Sequence, residues 1–561
     1  MRMLSWFIAA SLSFGASAGE LLIRADRIHT MDDERPQAEA MLVVDQKIAD
    51  VGDFAELSEQ HPDATVQDLR GHTVIPGLID AHGHVLSLGL SLARADLVGT
   101  RDLPDVIARL NAAADKLPKD AWLLGRGWDQ NDWPVQKFPS AADLDAAFPD
   151  RPVVLERVDG HATWINSAAI KRIGRSLDGD WQVDGGHIER VDGKPTGILI
   201  DAASALIDQV VPPLSAEDKT AAYKLAFSNL LAAGVTGVHD AGTSLDDLNV
   251  LKTQADTGAL PIRLTTMADG DSAALAWLCK NGRYRHASGR LQMRTVKLYA
   301  DGALGSRGAA LLADYADDHG NRGLLVTSES ALETAMQKAA QCGIQIATHA
   351  IGDRANRIVL DLYQSLAGQS ASDRRWRIEH AQVLAPKDLA RFAELNVIAS
   401  MQPTHATSDM PWAETRLGPD RVLGAYAWRS LRDRGTRLAL GSDFPVERIE
   451  PILGIYAAIS RQDQTGQPDG GWTPNQRLTT YEALRGFTSD AAWAGFAESE
   501  VGQLKPGMLA DFVVLDQDPF AVQNAAIPGL KVISTWVDGE RAWPREPLPC
   551  ATPRVEADAR R

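Results

Sequence analysis

The sequence predicts an α/β protein built on a (β/α)8 TIM barrel, with a small β-sandwich domain formed from both termini. Three observations lead to this prediction. Apolar strand-like segments alternate with helical stretches through the middle of the chain, and short strand and turn patterns occur at both ends. A long stretch also separates the first barrel strand from the second, which predicts an insertion at that point.

Eight short apolar segments end in polar or small residues and precede helical stretches. Near-continuous apolar runs suit strands that are buried on both faces, and strand-helix alternation requires parallel pairing. A closed barrel is therefore favoured over a doubly wound open sheet, which is the alternative fold. The segments are TVIPGLIDAHGHV, AGVTGVHDAG, PIRLTTMADG, RTVKLYADG, GIQIATHAIGD, RWRIEHAQV, NVIASMQPTH and RLALGSDFPVE.

The same patterns divide the chain into domains. Residues 19–70 and 500–545 are predicted to form one composite β domain, because both alternate short strands with Asp/Gly turns. The barrel is predicted to comprise residues 71–95 and 216–499. Residues 96–215 are predicted to be an insertion or lid domain with five of the fourteen tryptophans. These tryptophans favour a separate core and a lid over the substrate pocket equally.

The two ends of the chain have patterns of their own. Arg2 precedes an apolar run that ends in Ala16, Ser17 and Ala18, which is typical of a signal peptide over residues 1–18. We therefore expect a periplasmic or secreted protein. Residues 546–561 are rich in proline and charge and are predicted to be a loose tail.

Composition restricts the partners. The net charge is -17 and no basic run occurs, so a nucleic-acid partner is not expected. No later segment is apolar for long enough to predict a membrane span. Cys279, Cys342 and Cys550 allow at most one disulfide bond and leave one thiol. The sequence leaves open whether the protein is a homo-oligomer.

Candidate metal ligands fall at the carboxyl ends of the predicted strands, where barrel enzymes place their active sites. His82 and His84 are two positions apart on an extended strand, so their side chains face the same way. The pair alone is weak evidence. His349, His380 and Asp443, however, end the fifth, sixth and eighth strands. Five convergent ligands of this kind suit Zn2+ or a similar divalent metal.

Lys297 ends the fourth strand, where an ordinary ammonium group would be repelled by a metal ion. Two interpretations stay open. Lys297 either forms a supporting ion pair or reacts with CO2, which would give a carboxylate able to bridge two metals.

Other polar residues near these strand ends are weaker candidates. His239, Asp240, Asp301 and Ser306 are explained by packing or by loop structure as well as by function. Arg307 could anchor a carboxylate or carbonyl group. The residues considered for substrate contact are Trp128, His161, Arg307 and His405.

The motifs together resemble a known family. PGLIDAHGHV, KLYADGALGSRGA, THAIGDRAN, RIEHAQ, QPTH, LGSDFPVE and GQLKPGMLADFVVLD are similar to those of the amidohydrolase superfamily. They most closely resemble its amidohydrolase family 3 branch, which includes N-substituted formamide deformylases and YtcJ-like proteins. The resemblance runs from about Leu21 to Trp543.

The resemblance implies a role for each candidate ligand. His82 and His84 would bind the more buried metal, and His349 and His380 the more exposed one. Lys297, if carboxylated, would bridge the two ions. Asp443 would contact the buried metal and act as the catalytic proton acceptor and donor.

The function expected from these residues is metal-dependent hydrolysis of a small-molecule amide, such as an N-formyl or N-acyl amine. Metal-bound hydroxide would attack the carbonyl, with two Zn2+ or similar ions per chain. A mononuclear deaminase, a lactonase or esterase, and a non-catalytic binding relative are the alternatives. Lys297 and the long insertion argue against the deaminase, and the complete ligand set argues against the non-catalytic protein.

Overall fold

The computed structural model describes most of the chain. The predicted signal peptide, the predicted tail and His161 lie outside the described residues. Within the described part, no helix is long and apolar enough to cross a membrane. The described ranges are 19–115, 117–119, 121–157, 162–183, 186–367 and 373–544.

The chain begins with four strands and one short helix. Asp53 caps the helix, because its carboxylate accepts hydrogen bonds from the backbone N–H groups of Ala55 and Glu56. These elements are β1 (Leu21–His29), β2 (Gln37–Val44), β3 (Lys47–Gly52), α1 (Phe54–Gln60) and β4 (Thr65–Pro76).

The first barrel strand and its helix come next, followed by the insertion. The barrel pair is β5 (Leu78–Gly83) and α2 (Val85–Ala93). The insertion consists of β6 (Ala95–Asp96), α3 (Leu103–Ala114), β7 (Leu123–Trp128), α4 (Ala141–Asp145), β8 (Val153–Arg157), β9 (Ala162–Ile165), α5 (Ser167–Arg172), β10 (Gly186–Val191), β11 (Lys194–Asp201) and α6 (Ala205–Asp208).

The insertion has its own sheet and its own core. Its six strands are ordered β10-β11-β9-β8-β7-β6. Trp128, Trp133 and Trp164 are buried against one another, with ring centroids 5.7 to 6.4 Å apart. These three tryptophans therefore fit the separate-core interpretation.

The remaining elements complete the barrel and return to the terminal sheet. They are α7 (Ala216–Ala232), β12 (Val235–Thr243), α8 (Leu245–Asp256), β13 (Arg263–Asp269), α9 (Ala273–Asn281), β14 (Tyr284–Arg285), β15 (Leu291–Tyr299), α10 (Glu329–Gln341), β16 (Gln345–Ala350), α11 (Asp353–Ala367), β17 (Arg377–His380), α12 (Leu389–Glu394), β18 (Ile398–Met401), α13 (Pro403–Asp409), α14 (Ala413–Arg421), α15 (Trp428–Arg432), β19 (Leu438–Leu440), α16 (Pro451–Ser460), α17 (Thr480–Gly486), α18 (Ser489–Ala494), β20 (Phe512–Leu515), β21 (Val532–Val537) and β22 (Glu540–Trp543). Short 3-10 helices cover Gln130–Asp132, Ala202–Ser204, Val422–Gly424, Pro474–Gln476 and Asn524–Gly529.

All eight predicted barrel strands are present and parallel, in the order β5-β12-β13-β15-β16-β17-β18-β19. Hydrogen bonds just beyond the strand ends nearly close the ring. The Asp443 N–H donates to the His82 carbonyl at 2.7 Å, and the His84 N–H donates to the Phe444 carbonyl at 2.9 Å. Gly441 permits this approach, because a Cβ there would lie 2.5 Å from the His82 nitrogen. The predicted barrel is confirmed.

Both termini contribute to one seven-stranded mixed sheet, ordered β22-β21-β20-β4-β1-β2-β3. The sequence predicts a two-layered sandwich here, whereas hydrogen bonds join all the strands into a single sheet. The sheet curls back on itself: the Ile48 N–H donates to the Met508 carbonyl, and the Ala510 N–H donates to the Gln46 carbonyl. Side chains from β1, β2, β20 and β21 consequently share one buried core.

A disulfide bond joins Cys279 in α9 to Cys342, which directly follows α10. Replacing both residues by Ala is expected to lower the free energy of unfolding by about 4 kcal/mol, because the unfolded chain regains the freedom of a long closed loop. The bond spans 63 residues. Denaturant titration of oxidised protein measures this loss. Cys550→Ala should match the parent, and equal stability of the double variant would contradict the prediction.

Candidate metal centre and active site

Ionisable side chains meet at the carboxyl ends of the barrel strands. Their positions follow from the alternation of buried strands, which sends every second side chain into the barrel. His82 lies on β5, Lys297 on β15 and His349 on β16, while His380 ends β17. Asp443 follows β19. The structure therefore brings together ligands that are up to 361 residues apart in sequence, the separation of His82 and Asp443.

The tightest group consists of His82, His380 and Asp443. One ligand atom of each lies within 4.8 Å of the others, and all three residues are buried. The His82 Nε2 atom is 3.5 Å from Asp443 Oδ1, and the His82 and His380 rings lie 4.9 Å apart between centroids. Two imidazoles and one carboxylate at this spacing could hold one divalent metal ion.

Three further imidazoles surround this group. His84 Nε2 lies 3.1 Å from Asp443 Oδ1, and His405 Nε2 lies 3.6 Å from Asp443 Oδ2. The His349 ring centroid is 4.5 Å from that of His380. The Nε2 atoms of His349 and His405 are buried, and neither has a hydrogen-bond partner within the described residues. Unpartnered, buried imidazole nitrogens fit a centre that binds a metal.

Burial keeps the imidazoles of His82, His349 and His380 neutral. It lowers the pKa of His82 to about 4 and that of His349 to about 3, and holds the pKa of His380 well below its usual value. Neutral imidazoles offer the lone pairs that a metal requires. Burial opposes ionisation of Asp443, but a hydrogen bond with His84 and electrostatic interactions with the surrounding histidines keep its pKa well below normal.

The two buried histidines are oriented by neighbours. The His82 Nδ1–H group donates to Glu379 Oε2 at 2.5 Å, and the His380 Nδ1–H group donates to Gln402 Oε1 at 2.8 Å. Each hydrogen bond leaves Nε2 free to face the centre of the site. This arrangement is typical of histidine metal ligands, whose second nitrogen is held by a carboxylate or carbonyl group.

Beneath His82 lies a fully buried ion pair between Glu379 and Arg377. The Arg377 Nε atom donates to Glu379 Oε1 at 2.5 Å, and its Nη1 atom donates to His239 Nδ1 at 2.8 Å. A third nitrogen donates to the Ala81 carbonyl at 2.6 Å and to the Ser400 hydroxyl at 2.7 Å. The guanidinium group thus ties four barrel strands together under the site.

Two other carboxylates organise the backbone around the site. The Asp80 carboxylate accepts hydrogen bonds from the N–H groups of His82 and Ser442. Asp301 accepts from the N–H groups of Ala310, Ile351 and Gly352. Burial raises the pKa of both carboxyl groups to about 7. Their role is to fix the loops that follow β5, β15, β16 and β19.

Lys297 is buried with its Nζ atom 3.1 Å from His82 Nε2. Burial lowers its pKa to about 8. Among the described residues, no carboxylate lies within ion-pair distance of Nζ, so the structure does not contain the supporting ion pair that was one of the two interpretations. The amine instead points at the nitrogen that would bind the metal.

The chain backbone is strained at two site residues. His380 has φ 73° and Asp443 has φ 63°, values that non-glycine residues rarely adopt. His380 ends β17 and Asp443 lies three residues after the end of β19, so both turns are at the barrel mouth. Strain of this kind is concentrated at functional sites.

Comparison with known families agrees with this geometry. The model of the amidohydrolase family matches residues 65–542. The chain belongs to the amidohydrolase family. It is therefore a metal-dependent hydrolase of the class that acts on carbon–nitrogen bonds, and the resemblance predicted from its motifs is confirmed. A model of the imidazolonepropionase-like composite domain of bacteria matches residues 40–64, in the terminal sheet.

Several proteins are similar to this amidohydrolase over nearly their whole length. The protein LONG AFTER FAR-RED 3 of Arabidopsis thaliana is 35% identical, over 96% of this chain and 94% of that protein. YtcJ of Bacillus subtilis is 33% identical, over 91% of this chain and 97% of that protein. The N-substituted formamide deformylase of Arthrobacter pascens is 30% identical, over 93% of this chain and 97% of that protein.

A solved structure has the same architecture. An uncharacterised metal-dependent hydrolase from Pyrococcus horikoshii superposes with a TM-score of 0.76 and is 28% identical. The match covers 90% of this chain and 99% of the other. The insertion and the terminal sheet are thus part of a shared fold and not additions peculiar to this amidohydrolase.

Two residues considered for substrate contact make other contacts in the structure. Trp128 is fully buried in the insertion core, where its indole N–H donates to the Leu155 carbonyl at 2.9 Å. Arg307 is partly exposed and pairs with Asp317 at 2.8 Å, and its contact with substrate stays a prediction. The expectation for Trp128 is corrected, because the sequence pattern does not show which core a tryptophan joins.

The weaker candidates lie at different depths in the barrel and make different contacts. His239 lies below the site in contact with Arg377, and burial lowers its pKa to about 3, so it belongs to the supporting layer. Asp240 accepts hydrogen bonds from the Val85 N–H and the Thr243 hydroxyl and fixes the turn after β5. The Ser306 hydroxyl donates to the Ala303 carbonyl within its own loop. His405, in contrast to these three residues, lies beside the Asp443 carboxylate, 3.6 Å from Oδ2.

Proposed function

We propose that this amidohydrolase cleaves the amide bond of an N-formyl or N-acyl amine. The observation that carries the proposal is the convergence of His82, His380 and Asp443 within 4.8 Å at the barrel mouth. The similarity to an N-substituted formamide deformylase over nearly the whole chain supports the choice of substrate class.

We propose two divalent metal ions, such as Zn2+, at this site. His82, His84 and Asp443 would hold the more buried ion, and His349 and His380 the more exposed one. His349 supports this assignment, since its Nε2 atom is buried without a hydrogen-bond partner among the described residues and burial lowers its pKa to about 3. When bound, such ions lower the pKa of water from about 15.7 toward 7 and polarise a carbonyl group.

Asp443 moves the proton in the proposed reaction. Its carboxylate accepts the proton that the attacking water loses as the water oxygen bonds to the carbonyl carbon. The carboxyl group then delivers this proton to the amine nitrogen as the C–N bond breaks. His84 and His405 flank its two oxygens at 3.1 and 3.6 Å and hold the carboxylate in place. The products are an amine and a carboxylic acid, which is formate for an N-formyl substrate.

Lys297 is proposed to be carboxylated and to bridge the two ions. Its burial without a carboxylate partner in the described residues supports this, because an isolated ammonium group is costly in such a place. Reaction with CO2 replaces the amine by a carbamate anion and suits a cluster of cations.

Replacing Lys297 by Ala is expected to lower metal content by about half and kcat by about 10²-fold or more, because the bridging carboxylate is lost. Elemental analysis and steady-state kinetics measure both quantities. Short carboxylic acids such as formate or acetate should partly restore activity to this variant and leave the parent unchanged. Unchanged metal content and activity would show that Lys297 is only structural.

Amine release from N-formyl and N-acyl compounds tests the function directly. Purified protein is expected to contain about two divalent ions per chain and to lose activity when they are chelated. Adding Zn2+ should restore it. One ion per chain with ammonia release from ring substrates would favour a deaminase instead. Preferential cleavage of lactones or esters would favour a lactonase, and absence of all cleavage in Zn2+-loaded protein would contradict the proposal.

We also propose that the protein is exported. The pattern of residues 1–18 and the Cys279–Cys342 disulfide support this, since such bonds persist in oxidising compartments. Amino-terminal sequencing of protein from the periplasmic or secreted fraction should begin at Gly19. A chain that keeps Met1 in the cytoplasm would refute export.

A further inference from the structure

A second cavity lies at the opposite end of the barrel from the metal centre. Its volume is about 480 Å³. Gln345 is the first residue of β16, Trp376 directly precedes β17, and Arg294 lies in the first half of β15. The carboxyl ends of the same three strands carry Lys297, His349 and His380. The cavity is therefore separated from the active site by the length of the barrel strands, which is about 10 to 15 Å.

Positive charge gathers around this cavity in a chain whose net charge is -17. Arg283, Arg294 and Arg374 line it, and Arg375 lies directly beside it. One carboxylate, that of Asp373, lines the same cavity. Arg375 pairs with Asp373 at 2.7 Å and with Glu498 at 2.7 Å, so positive charge still exceeds negative charge around the cavity.

Arg294 is a half-buried cation whose Nε–H group has no acceptor among the described residues. The Nε atom itself is buried. Its guanidinium group stacks on the Phe496 ring, 3.5 Å from the ring centroid. Burial, together with the charges of Arg283 and Arg375, lowers its pKa to about 10, although Glu498 and Asp373 oppose this effect. A partly desolvated guanidinium group with an unused N–H donor is stabilised by an anion that reaches it.

We propose that this cavity is a binding site for a small organic anion, distinct from the active site. A carboxylate or phosphate group would bind the in-plane N–H groups of Arg294, since stacking on Phe496 occupies one face of the guanidinium and leaves its edge available. The apolar part of the ligand would pack against Ile344, Leu366 and Trp376, which line the same space. The volume lies within the range typical of small-molecule sites.

Two features favour this ligand class. Inorganic anions would bind the arginines but leave the apolar wall uncovered, whereas an apolar ligand would leave the Arg294 Nε–H group without an acceptor. A ligand that carries an anionic group on an apolar body would contact both the arginines and the apolar wall. The proposal does not depend on the reaction at the metal centre, because no residue of that centre lines the cavity.

Isothermal titration calorimetry of the full-length mature protein with benzoate and phenyl phosphate tests the site, at constant ionic strength. Both probes are expected to bind more tightly than inorganic phosphate. Arg294→Met should weaken their binding about tenfold or more, because it removes the cation and keeps an apolar side chain of similar length. Arg294→Lys keeps the charge but loses the planar guanidinium group, which donates two parallel hydrogen bonds to one anion. This variant should have intermediate affinity.

Arg434→Met is the matched control, since it removes the same charge from an exposed position outside the cavity. It should bind as the parent does. The unliganded Arg294→Met variant should melt close to the parent temperature, because it removes a half-buried cation whose Nε–H group has no acceptor among the described residues, so weaker binding cannot be ascribed to misfolding. Parent-like affinity in Arg294→Met would place the anion elsewhere, for instance at the metal centre, and would overturn the proposal. Absence of binding by the parent at millimolar concentration would do the same.

Discussion

Replacing Asp443 by Asn is expected to lower kcat by about 10²- to 10⁴-fold, the usual range for loss of a proton-transferring group. Asparagine has nearly the same shape but cannot accept a proton from water. Asp443 is the one carboxylate in the group formed with His82 and His380, so no residue of that group can replace it. Amine release under saturating substrate measures the loss.

The fold of this variant should be unchanged, because the hydrogen bond from the Asp443 backbone N–H to the His82 carbonyl does not involve the side chain. Circular dichroism and elemental analysis check the fold and the metal content. Asp361→Asn, the same substitution at an exposed surface position, should keep parental activity. Full activity of a metal-loaded Asp443→Asn protein would eliminate the proposed mechanism.

The barrel could be predicted because its physical basis is local. A strand buried on both faces must be apolar along its length, and a parallel neighbour requires a helix in between. RTVKLYADG and GIQIATHAIGD show this pattern and form β15 and β16 as expected. The same reasoning placed His82, His349, His380 and Asp443 near one another, since the carboxyl ends of all the strands meet at one mouth.

Features that depend on distant partners could not be predicted. Trp128 lies in a sequence segment that suits a lid as well as a core. It becomes buried when β7, β8 and β9 pair in the insertion sheet. For the terminal domain, the sequence predicts the strands but does not show which strand edges pair, so the single curled sheet could not be foreseen. The curl that brings Ile48 to Met508 joins segments 460 residues apart.

Glu379 and Arg377 were missed although the sequence contains an indication of them. In RWRIEHAQV, two opposite charges stand two positions apart within a predicted buried strand, so both face the same side. Buried charges require partners, and the nearest partner for each is the other. What the sequence cannot show is the further contact of Glu379 with His82, which depends on barrel closure.

Removal of Arg377 is expected to produce the largest loss of stability. Arg377→Met should lower the free energy of unfolding by about 3 to 5 kcal/mol, because it leaves the Glu379 carboxylate buried without its cation. Both side chains are at most 1% exposed, so water cannot compensate. At present Arg377 holds the pKa of Glu379 well below its usual value, against the opposing effect of burial. Chemical denaturation followed by tryptophan fluorescence measures the change.

The double variant Arg377→Met/Glu379→Gln distinguishes an unpaired charge from lost packing. If the unpaired carboxylate causes the loss, the double variant should regain much of the stability that Arg377→Met loses, since a neutral amide replaces the charge. Glu379→Gln alone should weaken metal binding about 10- to 100-fold, because His82 then lacks the carboxylate that orients it. Stability of the double variant equal to the sum of the two single losses would mean that the pair acts by packing alone. Regained stability without regained metal affinity would instead separate the two roles of Glu379, one in balancing Arg377 and the other in holding His82.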